Sequence, residues 1–157
     1  MHEVDDTLAL IAPLAAPLAD EAATLAFGAK LARALEPGAT LYLEGDLGAG
    51  KTTLARGVLR ALGYAGRVKS PTYTLAEIYP LSELGLARFD LAHFDLYRMN
   101  DPREWLDAGF RDLDPACVRL IEWPEKAAGW LPAPDLLIRL TIPDAGRGVE
   151  CAALTPR

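Results

Sequence analysis

The sequence predicts a single α/β domain with a central mixed parallel and antiparallel sheet that is flanked by helices. The length of 157 residues suits one domain, since domains typically contain ~100–200 residues. Strand and helix patterns alternate in the first half of the chain, and strand patterns joined by turns dominate the second half. We expect the domain to span residues 1–157, with residues 1–7 irregular and mobile.

The composition is acidic, with 16 Lys and Arg against 22 Asp and Glu, which gives a net charge of −6. This balance argues against a protein whose whole surface wraps nucleic acid. The most apolar stretch, residues 8–19, is shorter than the ~20 residues of a membrane span, and acidic rather than basic residues precede it. Cys117 and Cys151 are the only cysteines, and we expect them to be inert thiols. The composition therefore favours a cytoplasmic protein without a membrane partner.

Local signals predict the elements in chain order. Residues 8–12 form a first short strand, and Pro13 and Pro17 then impose an irregular connection. Asp20 caps a helix that runs to Leu35 with apolar residues at helical spacing. The remaining predicted elements are a strand over 40–43, a helix over 51–62, strands over 73–79, 87–97 and 117–122, a short helix that Asp101 caps and Gly109 ends, and a final hairpin of 135–143 with 148–154.

The strongest functional signal is the segment 45–52, Gly-Asp-Leu-Gly-Ala-Gly-Lys-Thr, which fits the pattern G-x-x-x-x-G-K-[ST]. Glycines let consecutive backbone N–H groups turn toward one anion, and the helix that follows presents its positive end. We expect Lys51 to reach the β- and γ-phosphates of a nucleotide, Thr52 to coordinate Mg²⁺ and Thr53 to bind the α-phosphate. Four fixed positions match by chance in well under about 1% of chains of this length, so an ordinary glycine turn is the weaker interpretation.

Two carboxylates, Asp95 and Glu122, each end a β-rich run. A nucleotide hydrolase needs such a group at the end of a strand next to the phosphate loop, where it holds Mg²⁺ directly or through water. Either residue, or both, fits this role, and spacing alone does not select the direct ligand. We expect His93, two residues before Asp95, to be a core packing residue, and the three tryptophans likewise.

The segment 70–74, Ser-Pro-Thr-Tyr-Thr, lies between the loop and the carboxylates. The hydroxyls of Thr72 and Thr74 suit a switch segment that orders around the γ-phosphate or Mg²⁺. A proline-broken strand entry explains the same residues equally well. Arg98 is a candidate arginine finger in cis, and contact with a partner protein is the alternative.

Five motifs in series carry a more selective signal than the phosphate loop alone. They are the loop 45–53, the segment 70–74, His-Phe-Asp-Leu-Tyr-Arg at 93–98, Asp-Pro-Arg-Glu at 101–104 and Ile-Glu-Trp-Pro at 121–124. In this order and spacing the chain resembles the bacterial TsaE family, the ATPase of tRNA threonylcarbamoyladenosine biosynthesis. The resemblance covers residues 20–147.

The resemblance implies a small P-loop NTPase-like fold that binds ATP with Mg²⁺ and hydrolyses it. Thr52 and Glu122 match metal ligands, Asp95 matches an acidic residue needed for hydrolysis, and Trp123 completes a Glu-Trp pair. The catalytic set is then Asp95, Lys51 and Glu122. The implied ATP-binding residues are Gly48, Ala49, Gly50, Lys51, Thr52, Thr53, Arg147 near the nucleotide and Glu21 near the adenosine.

The resemblance also implies a partner, the two-protein complex that transfers a threonylcarbamoyl group onto the adenosine beside the anticodon of tRNA. The ATPase makes no such bond itself, and its hydrolysis resets the complex between turnovers. It meets tRNA only through the complex. Because no arginine finger is assured, we expect the chain alone to hydrolyse ATP weakly. Its rate would lie below the partner-stimulated rate by a factor of up to ~10³–10⁵.

Two other classes of function remain open on the sequence. A small-molecule P-loop kinase uses the same loop but needs a substrate lid, for which residues 98–112 are the only stretch of suitable length. A nucleotide-gated binding module works by occupancy, without required hydrolysis. A GTPase fits less well, since the chain has no Asn-Lys-x-Asp segment that reads guanine.

Overall fold

The computed structural model describes residues 15–18, 20–45, 50–68, 71, 75–107, 113–141 and 147–153, with backbone alone at 15–18, 107, 141 and 147–153. The helices are α1 (Glu21–Ala34), α2 (Lys51–Ala61), α3 (Arg103–Asp107) and a 3₁₀ helix (Pro124–Ala127). The strands are β1 (Ala15–Leu18), β2 (Thr40–Glu44), β3 (Ala76–Tyr79), β4 (Leu91–Asp95), β5 (Val118–Glu122), β6 (Leu136–Thr141) and β7 (Arg147–Ala153). No helix in these ranges is long and apolar enough to cross a membrane.

All the described strands form one seven-stranded sheet in the order β1-β7-β6-β2-β5-β4-β3. The four central strands β6, β2, β5 and β4 are parallel, while β3 pairs antiparallel with β4, and β7 pairs antiparallel with both β6 and β1. This confirms the predicted mixed sheet. Because the central strands are parallel, their carboxyl ends meet at one edge, where α/β proteins place their ligands.

The two faces of the sheet are buried under different elements. Strand residues of one parity, such as Leu43 and Leu120, pack with α1 and α2 in one apolar cluster. Residues of the other parity, such as Phe94 and Ile121, pack with Trp105 of α3 and with the 3₁₀ helix in a second cluster. Successive side chains of a strand point to opposite faces, so this period of two assigns each strand residue to a layer.

Helices α1 and α2 touch through two glycines. A Cβ added at Gly57 would lie 2.5 Å from the carbonyl oxygen of Leu25, and one added at Gly28 would lie 2.6 Å from that of Leu54. Only glycine permits this backbone approach. The contact fixes α2, whose first residue is Lys51, against its neighbour and against the sheet.

Most predicted elements are present within a few residues. Asp20 caps α1, because its Oδ1 accepts a 2.9 Å hydrogen bond from the N–H of Ala23. The final hairpin is confirmed as the antiparallel pair β6 and β7. Strand β4 is shorter than the predicted run 87–97, because Oδ1 of Asp90 accepts hydrogen bonds from the backbone N–H and the hydroxyl of Ser82 and ends a turn there.

The prediction at Pro17 is wrong. This residue lies inside β1, opposite Gly148 of β7, rather than in an irregular connection. Strand β1 is at the edge of the sheet and pairs on one side only, which is where a strand tolerates a residue without an N–H. The predicted strand at 8–12 lies outside the described residues, as do the expected mobile residues 1–7.

Candidate functional site

The predicted phosphate loop joins β2 to α2 at the carboxyl edge of the sheet. Gly50 ends the loop with φ +103°, in the left-handed region that glycine adopts without strain, and it caps α2. The ε-ammonium group of Lys51, at the first helical position, donates to the carbonyl oxygen of Gly45. Gly48 and Ala49 lie outside the described residues. The loop therefore begins and ends as the sequence predicts, with its lysine at the helix N-terminus.

Lys51 is buried, with 5% of its surface exposed, and its ammonium nitrogen lies 4.0 Å from the centroid of the Trp123 ring. An aromatic face and a backbone carbonyl are therefore among the partners of this positive charge. A phosphate group would add a charge-assisted contact stronger than either of these two.

Asp95 and Glu122 are the last residues of β4 and β5 and lie opposite each other in the parallel register. Burial raises the pKa of Asp95 above its usual value, and the negative charge of Glu122 raises it further. A 3.1 Å hydrogen bond from the N–H of Tyr97 and the positive charge of Lys51 lower that pKa in part. The two carboxylates and Lys51 therefore share one electrostatic environment.

His93 is a site residue that the sequence prediction missed. Its ring is fully buried, and its Nε2 lies 2.5 Å from Oε2 of Glu122, which is 3% exposed. The prediction of a packing role is therefore incomplete, because the side chain makes a buried polar contact with a candidate catalytic group. The alternation of strand side chains was the available signal, since it places His93 on the same face as Asp95.

Trp123 follows Glu122 directly and turns the chain into the 3₁₀ helix. With φ +58° and ψ +48°, it is the only non-glycine residue of the described chain in the left-handed region. Its ring contacts that of Tyr97 with 5.0 Å between centroids. Strain of this kind persists where surrounding contacts hold it, and it is frequent at functional sites. The residue therefore joins the site to the second apolar cluster, against which it packs.

The other predicted residues occupy separate positions. Thr52 and Thr53 are half-buried in the first turn of α2, and Arg98 is exposed on the turn after β4. Glu21 is exposed at the start of α1, 3.9 Å from Arg56 of α2. Arg147 begins β7, where only the backbone is described, and Thr72 and Thr74 lie outside the described residues.

The arrangement combines a buried lysine, two carboxylates and threonine hydroxyls at one helix N-terminus. Carboxylate and hydroxyl oxygens are hard ligands, which suit Mg²⁺. A magnesium ion here would also offset the repulsion between Asp95 and Glu122 that raises the pKa of Asp95. The donor set therefore fits a metal-bound phosphate ester, and Thr52 and Glu122 are the residues that could hold the metal ion.

Comparison with known proteins decides the family. The family model described as "Threonylcarbamoyl adenosine biosynthesis protein TsaE" matches residues 18–149. The chain belongs to the TsaE family. A curated TsaE protein of Haemophilus influenzae, named "tRNA threonylcarbamoyladenosine biosynthesis protein TsaE", is 46% identical over 142 residues, which are 87% of each chain. A TsaE protein of the same name from Nostoc sp. is 37% identical over 145 residues, 88% of this chain and 83% of its own.

A solved structure agrees with this membership of the TsaE family. The crystal structure of Bacillus subtilus YdiB superposes with a TM-score of 0.69 and 29% sequence identity, covering 90% of this chain and 86% of that one. The fold is the P-loop NTPase-like α/β fold that the sequence predicts, with the loop between β2 and α2.

Proposed function

We propose that this TsaE protein binds ATP with Mg²⁺ and hydrolyses it slowly, as an accessory of threonylcarbamoyladenosine modification of tRNA. One observation carries the proposal: Lys51, Glu122 and Asp95 meet at the N-terminus of α2 in a chain of this family. The names of the Haemophilus influenzae and Nostoc relatives support the place in tRNA modification.

In this proposal the loop and the start of α2 bind the nucleotide. The residues from Gly48 to Thr53 bind the phosphates, and Lys51 exchanges its contacts with Gly45 and Trp123 for phosphate oxygens. Thr52 and Glu122 would hold Mg²⁺, which would supply positive charge to the phosphates when bound. Glu21 and Arg147 approach the adenosine and the nucleotide from α1 and β7, and Thr72 and Thr74 belong to the switch segment.

In this proposal Asp95 activates the water molecule for hydrolysis. Its carboxylate orients a water molecule for in-line attack on the γ-phosphorus and accepts a proton from it. A carboxylate with a raised pKa is the better proton acceptor, and burial gives Asp95 that property. The tyrosine N–H that binds one of its oxygens fixes the direction of the group.

The chain alone is proposed to be slow because the sequence assures no arginine finger in cis. Arg98, exposed on the turn after β4 and three residues beyond Asp95, is the candidate for this role, and a partner protein is the alternative source of the arginine. The proposed partner is the two-protein threonylcarbamoyl-transferase complex, through which the chain meets tRNA. Binding of that complex raises the hydrolysis rate.

The test measures MgATP binding by calorimetry and phosphate release in the wild type and in Lys51→Ala. Loss of the lysine removes both, since its charge is the main protein cation beside the phosphates. Arg33→Ala is the matched control, because this basic residue is exposed in the last turn of α1, on another helix. A Lys51→Ala protein that binds MgATP like the wild type contradicts the proposal.

Three further measurements separate the alternatives. Addition of the partner complex is expected to raise phosphate release, and full-speed hydrolysis by the isolated chain would contradict partner stimulation. Transfer of phosphate to a metabolite instead of water would favour a kinase. If Asp95→Asn binds ATP, stops hydrolysis and still supports tRNA modification, the nucleotide acts by occupancy alone.

A further inference from the structure

The contact between His93 and Glu122 links the middle of one strand to the end of the next. In the register of β4 and β5, His93 lies opposite Leu120 and Asp95 lies opposite Glu122. Nε2 of His93 thus reaches diagonally to Oε2 of Glu122, at 2.5 Å, on the face that carries α2. The carboxylate of Glu122, at the end of β5, is therefore held by a side chain of the neighbouring strand β4.

The burial of this pair demands an explanation. His93 is fully buried and Glu122 is 3% exposed, and removing an ionisable pair from water is costly. An apolar residue at position 93 would fill the same space without that cost. The histidine lies instead in a layer of leucines, next to the site, where its ring nitrogen meets a group that the proposed reaction uses.

The free nitrogen of the ring identifies the tautomer. Nδ1 is buried and makes no hydrogen bond to any residue in the described ranges. A bare Nε2 at 2.5 Å from a carboxylate oxygen would place two acceptors against each other, and a proton on Nδ1 would be a buried donor without an acceptor. The proton therefore lies on Nε2 and is donated to Glu122, which accepts it as a carboxylate.

We propose that His93 is a positioning residue, whose Nε2–H fixes Oε2 of Glu122 so that Oε1 is presented to Mg²⁺. The functional consequence rests on the proposed ATP binding and hydrolysis. Residues that hold a metal ligand typically change metal affinity or activity about 10–100-fold when they are removed. Loss of His93 should thus weaken nucleotide binding in the presence of Mg²⁺ and leave binding in its absence unchanged.

Two amide substitutions separate positioning from packing. The amide nitrogen of Gln overlays Nε2 of a histidine, whereas that of Asn overlays Nδ1 and falls short of Glu122. His93→Gln is therefore expected to retain the gain in ATP affinity that Mg²⁺ provides. In His93→Asn, the ATP affinity measured with Mg²⁺ should be about 10–100-fold weaker. Thermal unfolding of each variant confirms that the compared proteins are folded.

The measurements are calorimetric affinities for ATP with Mg²⁺ and with a chelator, in the wild type and both variants. Equal affinities in His93→Gln and His93→Asn would overturn the proposal, because a packing role does not distinguish the reach of the two amides. In a Glu122→Gln background the difference between Gln and Asn at position 93 should vanish. A difference that persists there would also overturn it.

A second measurement needs no nucleotide. Nitrogen-15 spectra of the imidazole in the free protein should show the Nε2–H tautomer of His93, with signals that move in Glu122→Gln. An Nδ1–H tautomer would overturn the inference whatever the activity. A wild type that binds MgATP but releases no phosphate contradicts the proposed hydrolysis alone, since neither test of His93 depends on turnover.

Discussion

Gly57 lies where α2 meets the backbone of α1, and Gly57→Ala tests whether that contact sets the position of the phosphate-loop helix. The added Cβ would lie 2.5 Å from the carbonyl oxygen of Leu25 and 3.0 Å from its Cα, whereas ordinary contact begins at 3.4 Å. Both neighbours are backbone atoms, so no side chain can rotate away. The two helices must separate to accept the methyl group.

Two opposing effects determine the change in the free energy of unfolding. Overpacking costs ~1–3 kcal/mol, and the backbone neighbours place this site in the upper part of that range. Alanine is favoured over glycine in a helix interior by ~1 kcal/mol, which offsets part of the cost. We expect a net loss of about 1–2 kcal/mol, or a fall in Tm of about 2–8 °C for a chain of this size.

Urea denaturation and thermal unfolding followed by circular dichroism measure this loss. Ala26→Gly, at an exposed position in the middle of α1, is the control for helix propensity and should cost ~1 kcal/mol. Gly28→Ala, whose Cβ would meet the carbonyl oxygen of Leu54 at 2.6 Å, should act like Gly57→Ala. Because both substitutions push the same helices apart, the double variant should lose less than the summed single effects. A Gly57→Ala protein as stable as the wild type would refute the reasoning.

Two further substitutions test local features. Asp20→Ala should cost about 1 kcal/mol in urea denaturation, because Ala23 loses the side-chain acceptor of its N–H, while Asp20→Asn should cost far less. Asp95→Asn should stabilise the free protein at pH 7, because the raised pKa of Asp95 means that ionisation in the folded state costs free energy. The cost is complete above the raised pKa of the folded state and disappears as pH falls below 3.8, the usual pKa of an aspartate, so the gain in unfolding midpoint should vanish there. A gain that is the same at low pH would show that charge is not its cause.

One part of the site was predictable because its residues lie close together in the sequence or directly follow a recognisable strand. The glycine loop, the lysine and the threonines are adjacent in sequence, and their spacing alone specifies a helix N-terminus that binds an anion. Asp95 and Glu122 were recognisable because each follows a β-rich run. Strand ends at one edge of a parallel sheet then bring the two together.

His93 and Trp123 show where such prediction ends. A histidine inside an apolar strand looks like a core residue, since the sequence does not reveal which side chain of the neighbouring strand it will face. Its contact with Glu122 spans 29 residues. The left-handed conformation of Trp123 likewise depends on Tyr97 and Lys51, which come from other elements.

The sequence by itself determined the α/β class, the phosphate loop, the helix caps and the carboxylates at the strand ends. These depend on backbone preferences and hydrogen bonds within a few residues of each other. The tertiary structure alone decided the seven-strand order, the glycine contact of α1 with α2 and the buried pair of His93 and Glu122. Those features arise when apolar faces distant in sequence pack together, and packing selects one register among many that the local patterns allow.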